Sequence, residues 1–218
     1  MKIRTYYLIA AALIAGVLLA TAVAYPHMPE RVPMHWDIHG DVDRWGSKST
    51  LFTFDPAVMA GVMLLFAVLP WLSPKRFEID SFRSTYLYMM VVFVAMLGYI
   101  HCIVLTAAFT SRIDVSRAIE GGVCLLIALL GNVMGKVRRN FYIGIRTPWT
   151  IANERVWNKT HRLAAKTSFA AGLLGLLLVL LRAPFWIPIA TVVAGPFIAA
   201  IYSLFYYKQL ERHGELNG

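Results

Sequence analysis

Charge is scarce in this chain. Of its 218 residues only 15% are Asp, Glu, Lys or Arg, where a soluble domain carries about 25%. Cysteine is nearly absent: Cys102 and Cys124 both fall inside apolar runs, which excludes a disulfide framework and disfavours a thiolate metal site. Both read as small core residues. No nucleophile motif is present. Gly131-Asn132-Val133-Met134-Gly135-Lys136 lacks the P-loop spacing and its closing Ser or Thr, and Ser111, Ser168 and Ser203 have no supporting context. No inverted repeat of the transporter kind is evident.

Apolar residues fill the space, at 58% of the chain and a mean hydropathy of +0.60, which is the composition of a membrane protein. The net charge of +9 does not point to direct nucleic-acid binding, because Lys and Arg collect at the ends of apolar runs and not along one polar face.

A membrane span needs roughly 20 apolar residues to cross about 30 Å of hydrocarbon. Six segments come close: Tyr6–Tyr25, Pro56–Leu72, Thr85–Thr110, Ala118–Gly135, Leu163–Leu181 and Pro184–Tyr207. The expected architecture is therefore an all-α polytopic membrane protein of six transmembrane helices. Lys2, Arg4 and Ala22-Val23-Ala24 imitate a signal peptide, but the first span is read as retained. With the N-terminus inside, fifteen of the 21 Lys and Arg lie on the inner side, so both termini are expected in the cytoplasm. Arg182-Ala183 leaves room only for a tight turn between the last two spans, and Pro184, Pro188 and Pro196 should bend or delay the last helix. Gly131 and Gly135 make a small-xxx-small face suited to close helix packing.

The outer segment, about residues 26–55, is a candidate small cap. Pro26, Pro29 and Pro33 favour an extended chain. Met34 to His39 then alternates, so a strand would set His35, Asp37 and His39 on one face, ahead of a turn at Gly40-Asp41. Neighbours on that face stand about 6.6 Å apart, so His35 with Asp37, or Asp37 with His39, could share a divalent metal, while the two histidines at about 13 Å could not. The competing reading is a cap held by its own hydrogen bonds, with no cofactor. Its acids Glu30, Asp37, Asp41, Asp43 and Asp55 outnumber Arg31, Arg44 and Lys48, which favours a cationic ligand.

The inner segment, residues 136–162, contains "RRNFYIGIRTPWTIANERVWNKTHR". Asn140, Gly144 and Thr147-Pro148 are turn and helix-start residues, and Thr150 is a candidate N-cap for a helix through Glu154, Trp157 and His161. Trp149 and Trp157 suit a headgroup belt beside anionic lipid. Asn140, Arg146 and His161 are expected to close one hydrogen-bonded cluster that shapes the loop.

The inner stretch resembles the signature of the SdpI family, bacterial membrane proteins named for immunity to a secreted sporulation-delaying toxin. Asn140, Gly144, Arg146, Thr147, Pro148, Trp149, Trp157, Thr160 and His161 carry the likeness. "PERVPMHWDIHGDVDRWGSK" resembles the domain of unknown function that often precedes it, through Pro33, His35, Gly40, Asp43 and Lys48. His39 departs from that motif, so a His-Asp-His metal site would be peculiar to this chain. The division expected is residues 1–84, an N-terminal two-helix unit with its cap, and residues 85–218, an SdpI-like four-helix unit. The resemblance implies a multi-pass protein of the bacterial inner membrane that is not an enzyme. It would bind a secreted antimicrobial peptide toxin and, when engaged, draw a cytoplasmic transcriptional repressor to the membrane.

Two other classes stay open. A transporter or channel for a small solute or lipid would need ionisable groups deep in the spans, for which His101, Asn132 and Glu120 are the candidates. A metal-dependent membrane enzyme would need an open site at His35, Asp37 and His39.

Overall fold

The computed structural model describes residues 2–37, 40–74, 79–110 and 112–216. Helix α1 (Ile3–Ala24) leads through a 3-10 turn (Tyr25–His27) to strands β1 (Arg31–Trp36) and β2 (Val42–Ser47), then α2 (Thr50–Leu72). A second 3-10 turn (Ile79–Phe82) precedes α3 (Arg83–Ala107). The remainder is α4 (Val115–Met134), the short α5 (Pro148–Ala152), α6 (Glu154–Leu180) and α7 (Trp186–Arg212).

Six of these helices are long and apolar enough to cross a membrane, and the chain is a multi-pass membrane protein. The backbone dictates this form, since in hydrocarbon every N–H and C=O must be satisfied within its own helix. Leu19, Leu64, Leu180 and Phe205 stand bare on their helices, as side chains facing lipid do. Helices α2 and α6 start earlier than the apolar runs suggested, at Thr50 and Glu154 in place of Pro56 and Leu163, because the stretches ahead of those runs, which include Thr50, Thr53 and Asp55 in α2 and Glu154, Arg155 and Asn158 in α6, are helical despite their polar residues.

By its contacts the chain forms two units. One comprises Met1–Ala67 with Leu87–Gly122, the other Val68–Tyr86 with Val123–Gly218.

In the first unit, β1 and β2 form an antiparallel hairpin in which Val32 faces Gly46 and His35 faces Arg44. The register is irregular after Pro33, as expected where proline withdraws an N–H from the ladder. A core of Met28, Val32, Leu51 and Val104, flanked by Tyr25, Met34 and Trp36, seats the hairpin on the adjoining helix ends.

In the second unit, Gly131 and Gly172 let α4 and α6 touch through their backbones. A Cβ on Gly131 would lie 2.5 Å from the Phe169 nitrogen, and one on Gly172 would lie 2.5 Å from that of Ala128. The small-residue face is thus used at Gly131, whereas Gly135 is exposed and has ordinary room, with Ala165 Cβ at 3.5 Å. The turn between α6 and α7 is tight: Arg182 adopts φ +57°, and the Ala183 N–H returns to the Leu178 carbonyl at 2.9 Å. Pro184 delays α7 until Trp186, and Pro196 lies within it.

Candidate functional site

The loop between α4 and α6 is shaped by side chains that bond to its backbone. Asn140 is fully buried. Its Oδ1 accepts from the N–H groups of Tyr142 and Ile143, both at 2.8 Å, and its Nδ2 donates to the carbonyls of Arg138 (2.8 Å) and Ile143 (3.0 Å). One amide therefore occupies its whole bonding capacity on a single turn. Arg146 donates to the Phe141 carbonyl, closing the same turn from its other end.

His161 and Trp157 form the floor. Their rings stack with centroids 4.0 Å apart and planes inclined by 18°. Trp157 Nε1 donates to the Val137 carbonyl at 2.8 Å, and His161 Nδ1 donates to the Trp157 carbonyl at 2.8 Å. His161 Nε2 accepts the Ile145 N–H at 3.0 Å, so the ring works here as a neutral Nδ1–H tautomer. Gly144, at φ +116°, crosses directly over it. The expected mutual cluster of Asn140, Arg146 and His161 is not what forms. Each side chain bonds backbone at a different point, because a loop has more unpaired N–H and C=O groups than its side chains have spare bonds for one another.

Thr147 and Thr150 build a reciprocal cap on α5. The Thr147 N–H donates to Thr150 Oγ1 at 2.8 Å, the Thr150 N–H donates to Thr147 Oγ1 at 3.3 Å, and Pro148 occupies the first turn where no N–H is needed. Thr150 is thus the third residue of a short helix and not the cap of the long one. Asn153 takes that role, accepting from the Val156 N–H at 3.1 Å while its Nδ2 donates to the Leu216 carbonyl at 3.0 Å. The sequence reading missed Asn153, although Asn followed by Glu154 is an N-terminal signal. It also missed Ser203 on α7, whose hydroxyl accepts from Trp149 Nε1. Trp157 is fully buried in protein and cannot serve in a headgroup belt, whereas Trp149 is half-buried. Thr160 is buried, and its hydroxyl finds no partner among the described residues.

In the hairpin, His35 meets Asp43 across the strands at 2.6 Å, with both side chains about half exposed. Asp37 lies just past the end of β1, where its Oδ1 accepts the Asp41 N–H at 3.0 Å and shapes the turn that Gly40 takes at φ +89°. His39 lies outside the described residues, and among the described residues no three metal-ligating side chains come together. Lys48 reaches inward: its Nζ pairs with Glu30 at 3.0 Å and sits 4.6 Å above the Tyr25 ring.

A third cluster lies among the helices of the first unit. His101 on α3 is wholly buried, with Nδ1 2.8 Å from Asp55 Oδ2 on α2 and Nε2 2.8 Å from Thr21 Oγ1 on α1. Thr21 also donates to the Val17 carbonyl of its own helix at 2.9 Å. Sequence alone marked His101 and Asp55 separately and had no means of joining them. Asn132 is exposed on α4, away from any such cluster.

Comparison with known proteins matches both regions. Residues 12–60, covering most of α1, the hairpin and the start of α2, match a domain of unknown function, DUF1648. Over 194 residues the chain is 26% identical to the Immunity protein SdpI of Bacillus subtilis (strain 168), covering 88% of this chain and 91% of that protein. No solved structure matches the chain. Residues 136–207, which hold the loop from Lys136, its caps, α6 and most of α7, match the SdpI/YfhL protein family, with the DUF1648 match lying ahead of them in the chain.

Proposed function

We propose that this is an immunity and signal-transducing protein of a bacterial inner membrane, which binds a secreted antimicrobial peptide and presents a cytoplasmic docking surface. The likeness to an immunity protein over 88% of the chain, spanning both hairpin and loop, carries the reading. The Lys and Arg distribution supports an orientation with both termini and the 136–162 loop in the cytoplasm and the hairpin outside.

On the hairpin, Glu30, Asp41 and Asp43 are exposed acids, and Lys48 is drawn in beneath them. Such a surface attracts a cationic peptide arriving from outside. On the loop, Arg146 and Pro148 are exposed while Asn140, Trp157 and His161 hold the backbone from below, a division of labour that suits recognition by a cytoplasmic repressor. Binding, and not turnover, is the work proposed.

The test is survival of a sensitive host that expresses the parent or its Arg146→Ala variant and is challenged with peptides secreted by related bacteria. Protection by the parent, lost in a variant that still reaches the membrane, supports the reading. No protection against any peptide overturns it.

A second reading, transport of a small solute, is favoured by the buried Thr21, His101 and Asp55 cluster, since ionisable groups within spans usually serve a pathway. Under that reading His101→Leu would abolish function while loop variants would keep it.

A further inference from the structure

Independently of the immunity reading, we infer that the second unit carries a binding site for a phosphate group, as borne by an anionic phospholipid headgroup. A cavity of about 440 Å³ opens between the start of α3, the segment just after α4, and the third turn of α6. Its wall includes Arg83, Lys136, Arg138, Asn158 and Arg162, with the hydroxyl residues Ser84 and Thr85.

Among the described residues the charges do not balance. Asp80 is the one acid of these that lines the cavity, and it is already engaged by Arg83 through both the guanidinium Nε, at 2.9 Å, and Nη2. Lys136, Arg138 and Arg162 are exposed, and no acidic partner is found for them among the described residues. Three cations around one cavity repel each other unless an anion sits between them. Phosphate suits the set, because guanidinium groups bind its oxygens in pairs, an ammonium adds a point charge, and Asn158 and the hydroxyls offer neutral donors.

Depth favours a lipid as the source. Arg83 opens the apolar helix α3, Lys136 lies two residues past the end of α4, and Arg162 immediately precedes the apolar run that begins at Leu163. All three therefore lie where hydrocarbon gives way to headgroups. Basic pockets between spans at that level are the sites at which acidic headgroups are held.

The test uses the full chain in detergent, offered phosphatidylglycerol, phosphatidylcholine or inorganic phosphate, with bound lipid counted by native mass spectrometry and phosphate by calorimetry. The parent is expected to retain phosphatidylglycerol over phosphatidylcholine. Lys136→Gln with Arg162→Gln should cut that retention about thirtyfold, two surface cations being removed. Because both side chains are exposed, the variant should melt with the parent. Arg138→Gln provides a second variant with a smaller loss.

A matched control, Lys166→Gln with Arg212→Gln, removes the same charge from exposed positions outside the cavity and should change nothing. Phosphate binding by the parent that is lost in the cavity variant would support the site but make its ligand a soluble phosphate. Equal retention of the two lipids by a parent that binds no phosphate would overturn the proposal. So would a cavity variant that retains phosphatidylglycerol like the parent, or a control that loses as much as the cavity variant.

Discussion

A Cβ placed on Gly144 would stand 2.3 Å from Nε2 of His161, the atom that holds the Ile145 N–H. The glycine and the histidine are therefore one device, with the backbone passing at φ +116° so close above the ring that only hydrogen fits. Gly144→Ala must move the loop or the ring. A destabilisation of about 1–3 kcal/mol is expected from the strained φ alone, read as a lower thermal midpoint in detergent together with new protease cleavage within residues 138–150. An unchanged midpoint and cleavage pattern would refute this role.

Asn140→Asp keeps the shape and the acceptor but replaces the Nδ2 donor. The carbonyls of Arg138 and Ile143 would then face a carboxylate oxygen. Stability should fall by about 2 kcal/mol, since buried acceptors left without donors cost roughly 1–3 kcal/mol. Chemical denaturation of the two proteins in the same micelle measures the difference, and equality would show that the loop is held elsewhere.

The His35 and Asp43 pair is half exposed on both sides, so its contribution to stability should be small. A double-mutant cycle through His35→Ala and Asp43→Ala should return a coupling of about 1 kcal/mol or less. If the hairpin is the ligand surface, the same variants should weaken protection against a cationic peptide far more than they weaken folding. A coupling well above that range would make the pair a structural element.

His101→Leu leaves Asp55 on α2 and Thr21 on α1 without the ring that joins them. Breaking a buried polar network by removing one partner costs about 3–5 kcal/mol when the orphan is a charge. Asp55→Asn together with His101→Leu should recover part of that loss, because the orphaned carboxylate is gone. No recovery in the double variant would mean that Asp55 finds water once His101 is removed.

Gly172→Leu tests the contact of α4 with α6. Its first added atom would meet the Ala128 nitrogen at 2.5 Å and the Cys124 carbonyl oxygen at 2.7 Å, both backbone atoms that a rotamer change cannot move. The variant should fail to accumulate in the membrane, whereas Gly135→Ala, whose nearest neighbour is 3.5 Å away, should accumulate like the parent. Immunoblots of membrane fractions decide between them.

What the sequence determined by itself is what depends on local chemistry. Runs of apolar side chains made six spanning helices, since hydrocarbon leaves the backbone no partner but its own helix. Pro33 and the Gly40 turn made a short, irregular hairpin, and Thr147-Pro148 started a helix because those residues satisfy or lack the first N–H groups. Tertiary structure decided which polar groups meet. Asp55 read as a surface acid of the cap and His101 as an ionisable group deep in a span, yet they stand 2.8 Å apart, 46 positions distant in the chain. Trp157 carried the marks of a headgroup residue and is instead wholly buried, with His161 stacked on it and its N–H spent on Val137. Local pattern can say that a side chain has an apolar body and a polar tip. Only packing decides whether lipid or protein covers the body, and which carbonyl the tip will reach.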